Sequence, residues 1–146
     1  MPGLQALSHR NWLLLLACWL VALVSMLGSL VFSEVMNLEP CVLCWYQRMA
    51  MFPLVLILGQ GLYTQDSQCV KYALPLAMAG WLAAFYHCLL YGGFIPKDLQ
   101  PCGKGVSCAE QKLELAGFIT IPLLSVAAFS LIVLLLITVK KDLSHA

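Results

Sequence analysis

The sequence predicts an all-α membrane protein, a four-transmembrane-helix up-down bundle, and three observations carry that prediction. Of the 146 residues, 62% are hydrophobic and only 10% charged, with a mean hydropathy of +0.89, far too apolar for a water-soluble domain of this length. The apolar residues gather into four runs of about twenty, each long enough as a helix to cross a hydrocarbon core of about 30 Å. Most of the connections are short, the pattern of antiparallel neighbours in a bundle. Residues 1–146 therefore read as a single integral membrane domain. A net charge of +1 supplies no basic surface for nucleic acid, and no phosphate-binding loop or zinc-protease motif occurs, so nucleotide and nucleic-acid functions are set aside.

The first run, Trp12 to Phe32, has small residues behind it and His9 and Arg10 before it, as a cleaved signal peptide would. Its apolar core is longer than the roughly 7 to 15 residues of a signal sequence, so it is read as a span. The second, Val42 to Tyr63, is interrupted by Arg48, Pro53 and Gln60. Pro53 removes a backbone hydrogen bond and is expected to bend this helix just beyond the arginine. The third, Tyr72 to Tyr91, carries Pro75 in its first turn, and the fourth, Gly117 to Val139, has Pro122 near its start.

An even number of spans puts both termini on one side, with residues 33–41 and 92–116 as the outer loops. Arg10, Lys71, Lys140 and Lys141 mark the terminal side, while Lys97, Lys104 and Lys112 lie opposite and Ser33 to Glu39 has no cation. The positive-inside rule then places both termini in the cytoplasm.

The stretch Pro40-Cys41-Val42-Leu43-Cys44-Trp45-Tyr46-Gln47-Arg48 is the chemical centre of the chain. With a helix beginning near Pro40, Cys41, Cys44 and Arg48 fall at i, i+3 and i+7, on one face. The helix N-terminus and the guanidinium both favour thiolate over thiol there, and an arginine inside an apolar run is an expensive residue that is usually functional.

Two further cysteines, Cys102 and Cys108, share the outer side with Cys41 and Cys44. Disulfides persist outside the reducing cytosol, which agrees with the charge count. Four cysteines admit three pairings, of which Cys41 with Cys44 and Cys102 with Cys108 are the local ones. In Pro101-Cys102-Gly103-Lys104-Gly105-Val106-Ser107-Cys108 nothing apolar would bury a bond, and the glycines let the backbone close a tight ring, so such a bond would be labile. A stapling disulfide and a four-cysteine zinc site are the other uses of these residues; Cys-x-x-Cys spacing occurs on one side only, and no metal is expected. Cys18, Cys69 and Cys88 read as small buried hydrophobes. After Cys108, Ala109, Leu113 and Ala116 recur on one face of a short helix expected to lie in the membrane surface.

Pro40-Cys41-Val42-Leu43-Cys44 with Gln47-Arg48, a second cysteine pair between spans three and four, and Cys108-Ala109-Glu110 leading to Gly117 together resemble the disulfide bond formation protein B (DsbB) family. The short second pair and Phe118-Ile119-Thr120-Ile121-Pro122 look more like its Bacillus-type BdbC branch. The resemblance covers nearly the whole chain. It implies a bacterial cell (inner) membrane thiol oxidase that reoxidises a soluble, thioredoxin-fold partner of DsbA-like or BdbD-like type and passes the electrons to a quinone, ubiquinone or menaquinone.

By the same resemblance Cys41 and Cys44 form the quinone-coupled redox disulfide, Cys102 and Cys108 the partner-facing one, and Arg48 and His87 lie at the quinone. Gln47 stands where the enterobacterial branch has an acidic residue. The expected relay runs from partner to Cys102–Cys108 to Cys41–Cys44, with Cys44 held as thiolate by the helix start and Arg48. Two other readings are a vitamin K epoxide reductase-like enzyme, whose second pair would sit in the first connection, and a non-catalytic scaffold with structural disulfides.

Overall fold

Burying four apolar runs and satisfying every backbone group in lipid requires helices, and the computed structural model, which describes residues 7–37, 39–96 and 120–145, shows four. They are α1 (His9–Leu30), α2 (Val42–Thr64), α3 (Cys69–Tyr91) and α4 (Ile121–His145). All four are long and apolar enough to cross a membrane. α1 packs on α2 and α4, and α3 packs on α2 and α4, so the helices ring the core in chain order as an up-down bundle. Cys102, Cys108 and the expected surface helix after Cys108 lie outside the described residues.

Several helices run past the apolar runs they contain. The first helix starts at His9, where the Ser8 side chain accepts a bond from the Asn11 N–H, and continues past Leu30 through a π-helical turn, Val31–Val35. A π turn adds a residue per turn and is often found at functional sites; here it carries Phe32 and Ser33 to a cavity described below. The second helix begins at Val42, where its apolar run was read to start, with Cys41 extended and serving as the N-cap. It runs through Pro53 as one helix. The third starts at Cys69, so Pro75 falls in its second turn rather than its first, and the fourth continues beyond Val139 to His145.

The α2–α3 turn is closed by Gln65 in the left-handed region (φ 51°), whose N–H bonds to Gly61, and by the Asp66 carboxylate accepting from the Gln68 N–H at 2.8 Å. At that same end Arg10 pairs with Asp142 at 2.5 Å, which puts the starts and ends of the described chain on one side of the bundle. The pair is largely exposed, and its contribution to stability is small.

Packing explains the choice of residues on each helix. Leu15, Cys18 and Ala22 of α1, Leu54 and Leu58 of α2, Ala73, Ala77 and Ala84 of α3, and Phe129, Ile132 and Leu136 of α4 are fully or almost fully buried, while Val24, Leu56, Leu82 and Leu134 face outward as lipid-facing residues do. The α3 seam is built of small residues, which let membrane helices approach closely. Gly80 is the sharpest case, since a Cβ there would overlap the buried ring of Phe129. Trp81 beside it donates from Nε1 to Ser130 Oγ at 2.8 Å, tying α3 to α4. Gly80→Ala is expected to destabilise the bundle by about 1–3 kcal/mol through overpacking. Gly28→Ala, where a Cβ meets nothing within 4 Å, should cost nothing. Thermal unfolding of both variants in one detergent checks the contrast.

Candidate active site

The first turn of α2 and the last turn of α3 meet at the end of the bundle opposite the chain termini. Cys41, at 2% exposure, is sealed there by Leu43, Leu90, Tyr86 and Ile95. Its sulfur accepts from the Cys44 backbone N–H at 3.4 Å, as an N-cap should. The two sulfurs are 3.0 Å apart, and His87 Nε2 lies 3.8 Å from Cys41 Sγ. His87 is itself buried, its Nδ1 within 3.1 Å of the Gln47 side-chain amide.

The expected field of the helix start therefore falls on a different sulfur. Because Cys41 is the cap, its thiol, and not that of Cys44, receives the backbone donor of the first turn. Hydrogen bonding from the Cys44 thiol pulls the Cys41 thiol well below the ordinary value of 9.0, and the bond and charge of His87 add to it, against burial, which pushes the other way. The sign follows directly. In the reduced protein the unfolded chain binds the proton that folded Cys41 has given up, so this contribution to stability is complete above the ordinary thiol range. It is lost as pH falls toward the lowered value. The thiolate absorbance of Cys41, taken as the difference between reduced protein and its Cys41→Ser variant, should persist well below pH 9, and His87→Ala should move its midpoint upward.

Arg48 turns away from Cys41 and toward α1. Its Nε donates to Ser29 Oγ at 2.6 Å and its NH2 group to the Ser29 carbonyl, while the guanidinium carbon sits 5.7 Å from the Trp45 ring centroid, in cation–π range. Together with Cys44 it lines a cavity of about 480 Å³ between α1, α2 and α4. Phe32, Ser125 and Phe129 lie on the other walls, and most of the surface is apolar. The volume is in the range of small-molecule sites. Gln47 also lines the cavity, but His87 and Cys41 do not. The histidine thus stands one residue behind the wall, connected to it through Gln47.

Of the residues singled out in the sequence, Cys41, Cys44, Arg48 and His87 come together at this end, and Cys102 and Cys108 are outside the described residues. Sequence reasoning missed Ser29 as the anchor of Arg48 and the Gln47–His87 bond. A serine near the end of an apolar helix carries no signal by itself. Gln47 carried one, as a buried amide one residue before the arginine, but its partner lies 40 residues away.

Two cysteine sulfurs this close, held at a membrane helix start beside an imidazole, with Cys44 bordering a cavity, are suited to exchange between dithiol and disulfide. By class the bundle is a membrane thiol-disulfide oxidoreductase. The family model described as disulfide bond formation protein DsbB matches residues 9–139. A probable disulfide formation protein of Metapseudomonas resinovorans is 47% identical over 92% of this chain and 94% of its own length. Disulfide bond formation protein C of Bacillus subtilis is 45% identical over 90% of this chain and 95% of its own. A probable disulfide formation protein of Chlamydia trachomatis is 46% identical over 91% and 96%. No solved structure matches the chain. The chain belongs to the DsbB family of disulfide bond formation proteins.

Proposed function

We propose that this protein is a quinone-linked thiol oxidase of the bacterial cell (inner) membrane, with both termini in the cytoplasm. It reoxidises a soluble thioredoxin-fold donor of the DsbA-like or BdbD-like type and passes two electrons to ubiquinone or menaquinone. The observation that carries the reading is the division of the site. Cys44 and Arg48 face one mostly apolar cavity with a fixed positive charge in its wall, suited to an apolar acceptor that becomes negative as it is reduced. Cys41 faces the opposite way, toward His87 and the start of the connection that holds the second cysteine pair.

In this mechanism a partner thiolate attacks the Cys102–Cys108 bond, and the thiol released there exchanges with Cys41–Cys44. Cys102 is only seven residues beyond Ile95, which packs against the Cys41 cluster. Fully extended, that length spans about 24 Å, so the second pair is tethered within reach of Cys41. A quinone held in the cavity beside Cys44 and Arg48 would supply the two-electron, two-proton acceptor that allows Cys41–Cys44 to close again. Arg48 holds Cys44 and the acceptor in one positive field, and Gln47 with His87 orients and polarises Cys41. Mixing purified protein with a reduced thioredoxin-fold oxidase and quinone tests the proposal through quinone absorbance. One quinol per partner disulfide is expected. Partner oxidation with no quinone consumed would overturn the quinone link, and no partner oxidation would overturn the whole reading.

A further inference from the structure

The reduced pair and the histidine behind it form a constellation that thiol exchange does not account for in full. Cys41, Cys44 and His87 each offer one ligand atom, and these atoms all lie within 4.8 Å of one another, drawn from two helices. We propose that the reduced centre binds one thiophilic divalent cation of the zinc and cadmium class through Cys41 Sγ, Cys44 Sγ and His87 Nε2, and that closing the disulfide abolishes the site.

The geometry is near what such an ion needs. With metal–sulfur bonds of about 2.3 Å and metal–nitrogen bonds of about 2.0–2.1 Å at tetrahedral angles, ligating sulfurs stand about 3.8 Å apart and sulfur and nitrogen about 3.6 Å. The Cys41–His87 separation of 3.8 Å is already close to that. The sulfurs, at 3.0 Å, must open by less than ~1 Å. Cys44 has room to do so, because it is only half-buried and borders the cavity. Two sulfurs and one imidazole are a set that zinc takes with its fourth position open, and the cavity side of Cys44 leaves that position to water. Soft thiolates select this class over magnesium or calcium.

Gln47 supplies the adjustment that the imidazole requires. With its Nε2 donating to His87 Nδ1, the ring proton sits on Nε2, where it faces the Cys41 sulfur. Turning the amide over lets Oε1 accept from Nδ1–H instead and frees the Nε2 lone pair for a cation, in the same volume. An acceptor behind a ligating histidine is the usual way its tautomer is held. Binding moves no electrons. It replaces up to two thiol protons by the cation and releases them. A disulfide has no thiolate to offer, so the site exists only while the centre is reduced. If the proposed relay operates, the bound cation also arrests it by occupying both sulfurs; the binding itself does not depend on that relay.

The full-length protein carrying Cys102→Ser and Cys108→Ser, which removes the other outer pair, is reduced, freed of reductant and titrated with cobalt(II). One ion per chain is expected, with a thiolate-to-cobalt charge-transfer band and the strong visible bands of a tetrahedral site. The disulfide form should bind none, and His87→Ala should weaken affinity at least ~10-fold. Because that variant could disturb the bundle, zinc X-ray absorption on the protein with His87 intact gives a second reading, expected to show two sulfurs and an imidazole nitrogen. No cobalt binding by the reduced protein, equal binding by the oxidised form, unchanged affinity in His87→Ala, or a zinc shell without imidazole would each overturn the site.

Discussion

Arg48→Met is expected to reduce turnover at low quinone concentration by tens to about a hundred-fold, while a single round of disulfide exchange with the partner, measured without quinone, stays near normal. The size follows from losing a charged hydrogen-bond donor at the acceptor, about 1.5–3 kcal/mol. The direction follows from placement. The guanidinium lines the cavity with Cys44 and is held by two bonds to Ser29 and by the Trp45 ring, whereas Cys41 is served by His87. Lysine keeps the charge but loses the planar fork that reaches both oxygens of Ser29, so Arg48→Lys should be intermediate, with more of its loss in apparent quinone affinity than in maximal rate. Steady-state rates over a quinone series decide the matter. Wild-type affinity and rate in both variants would leave Arg48 as an anchor between α1 and α2 and move the acceptor elsewhere.

The second large effect separates the two cysteine pairs. Cys102→Ser should block oxidation of the folded partner yet leave quinone reduction by a small dithiol, whereas Cys44→Ser should bring both to background. Burial is the reason. Cys41 is 2% exposed behind Tyr86, Leu90 and Ile95, so a folded protein cannot bring a thiol to it. A small dithiol can enter beside Cys44, which is only partly buried and borders the cavity. Parallel assays with the two reductants on each variant check this, and equal failure of Cys102→Ser with both reductants would contradict the division of labour.

How much of this was legible in the sequence differs from element to element. The four spans were legible because a bilayer tests each helix separately. Length and hydropathy of one run are enough, and the helices are within a few residues of the runs read from composition, apart from the ends. Those ends differ where polar or small residues continue a helix past its apolar stretch, as at His9–Asn11 and Lys140–His145. The Cys-x-x-Cys, the arginine one turn later and the family resemblance were legible as local strings. The identity of the capping residue was not, because Pro40 and Val42 are both acceptable first helical residues and only the backbone shows Cys41 extended.

What the tertiary structure alone decided is which side of α2 each group serves. Cys41, Cys44 and Arg48 look equivalent on a helical wheel, yet Cys41 meets His87 of α3 while Cys44 and Arg48 meet a cavity walled by α1 and α4. Spacing along one helix sets the angle between side chains. It carries no information about which neighbouring helix occupies that angle, and that is settled by packing, through contacts such as Gly80 against Phe129 and Arg48 against Ser29 that join residues 19 to 49 positions apart.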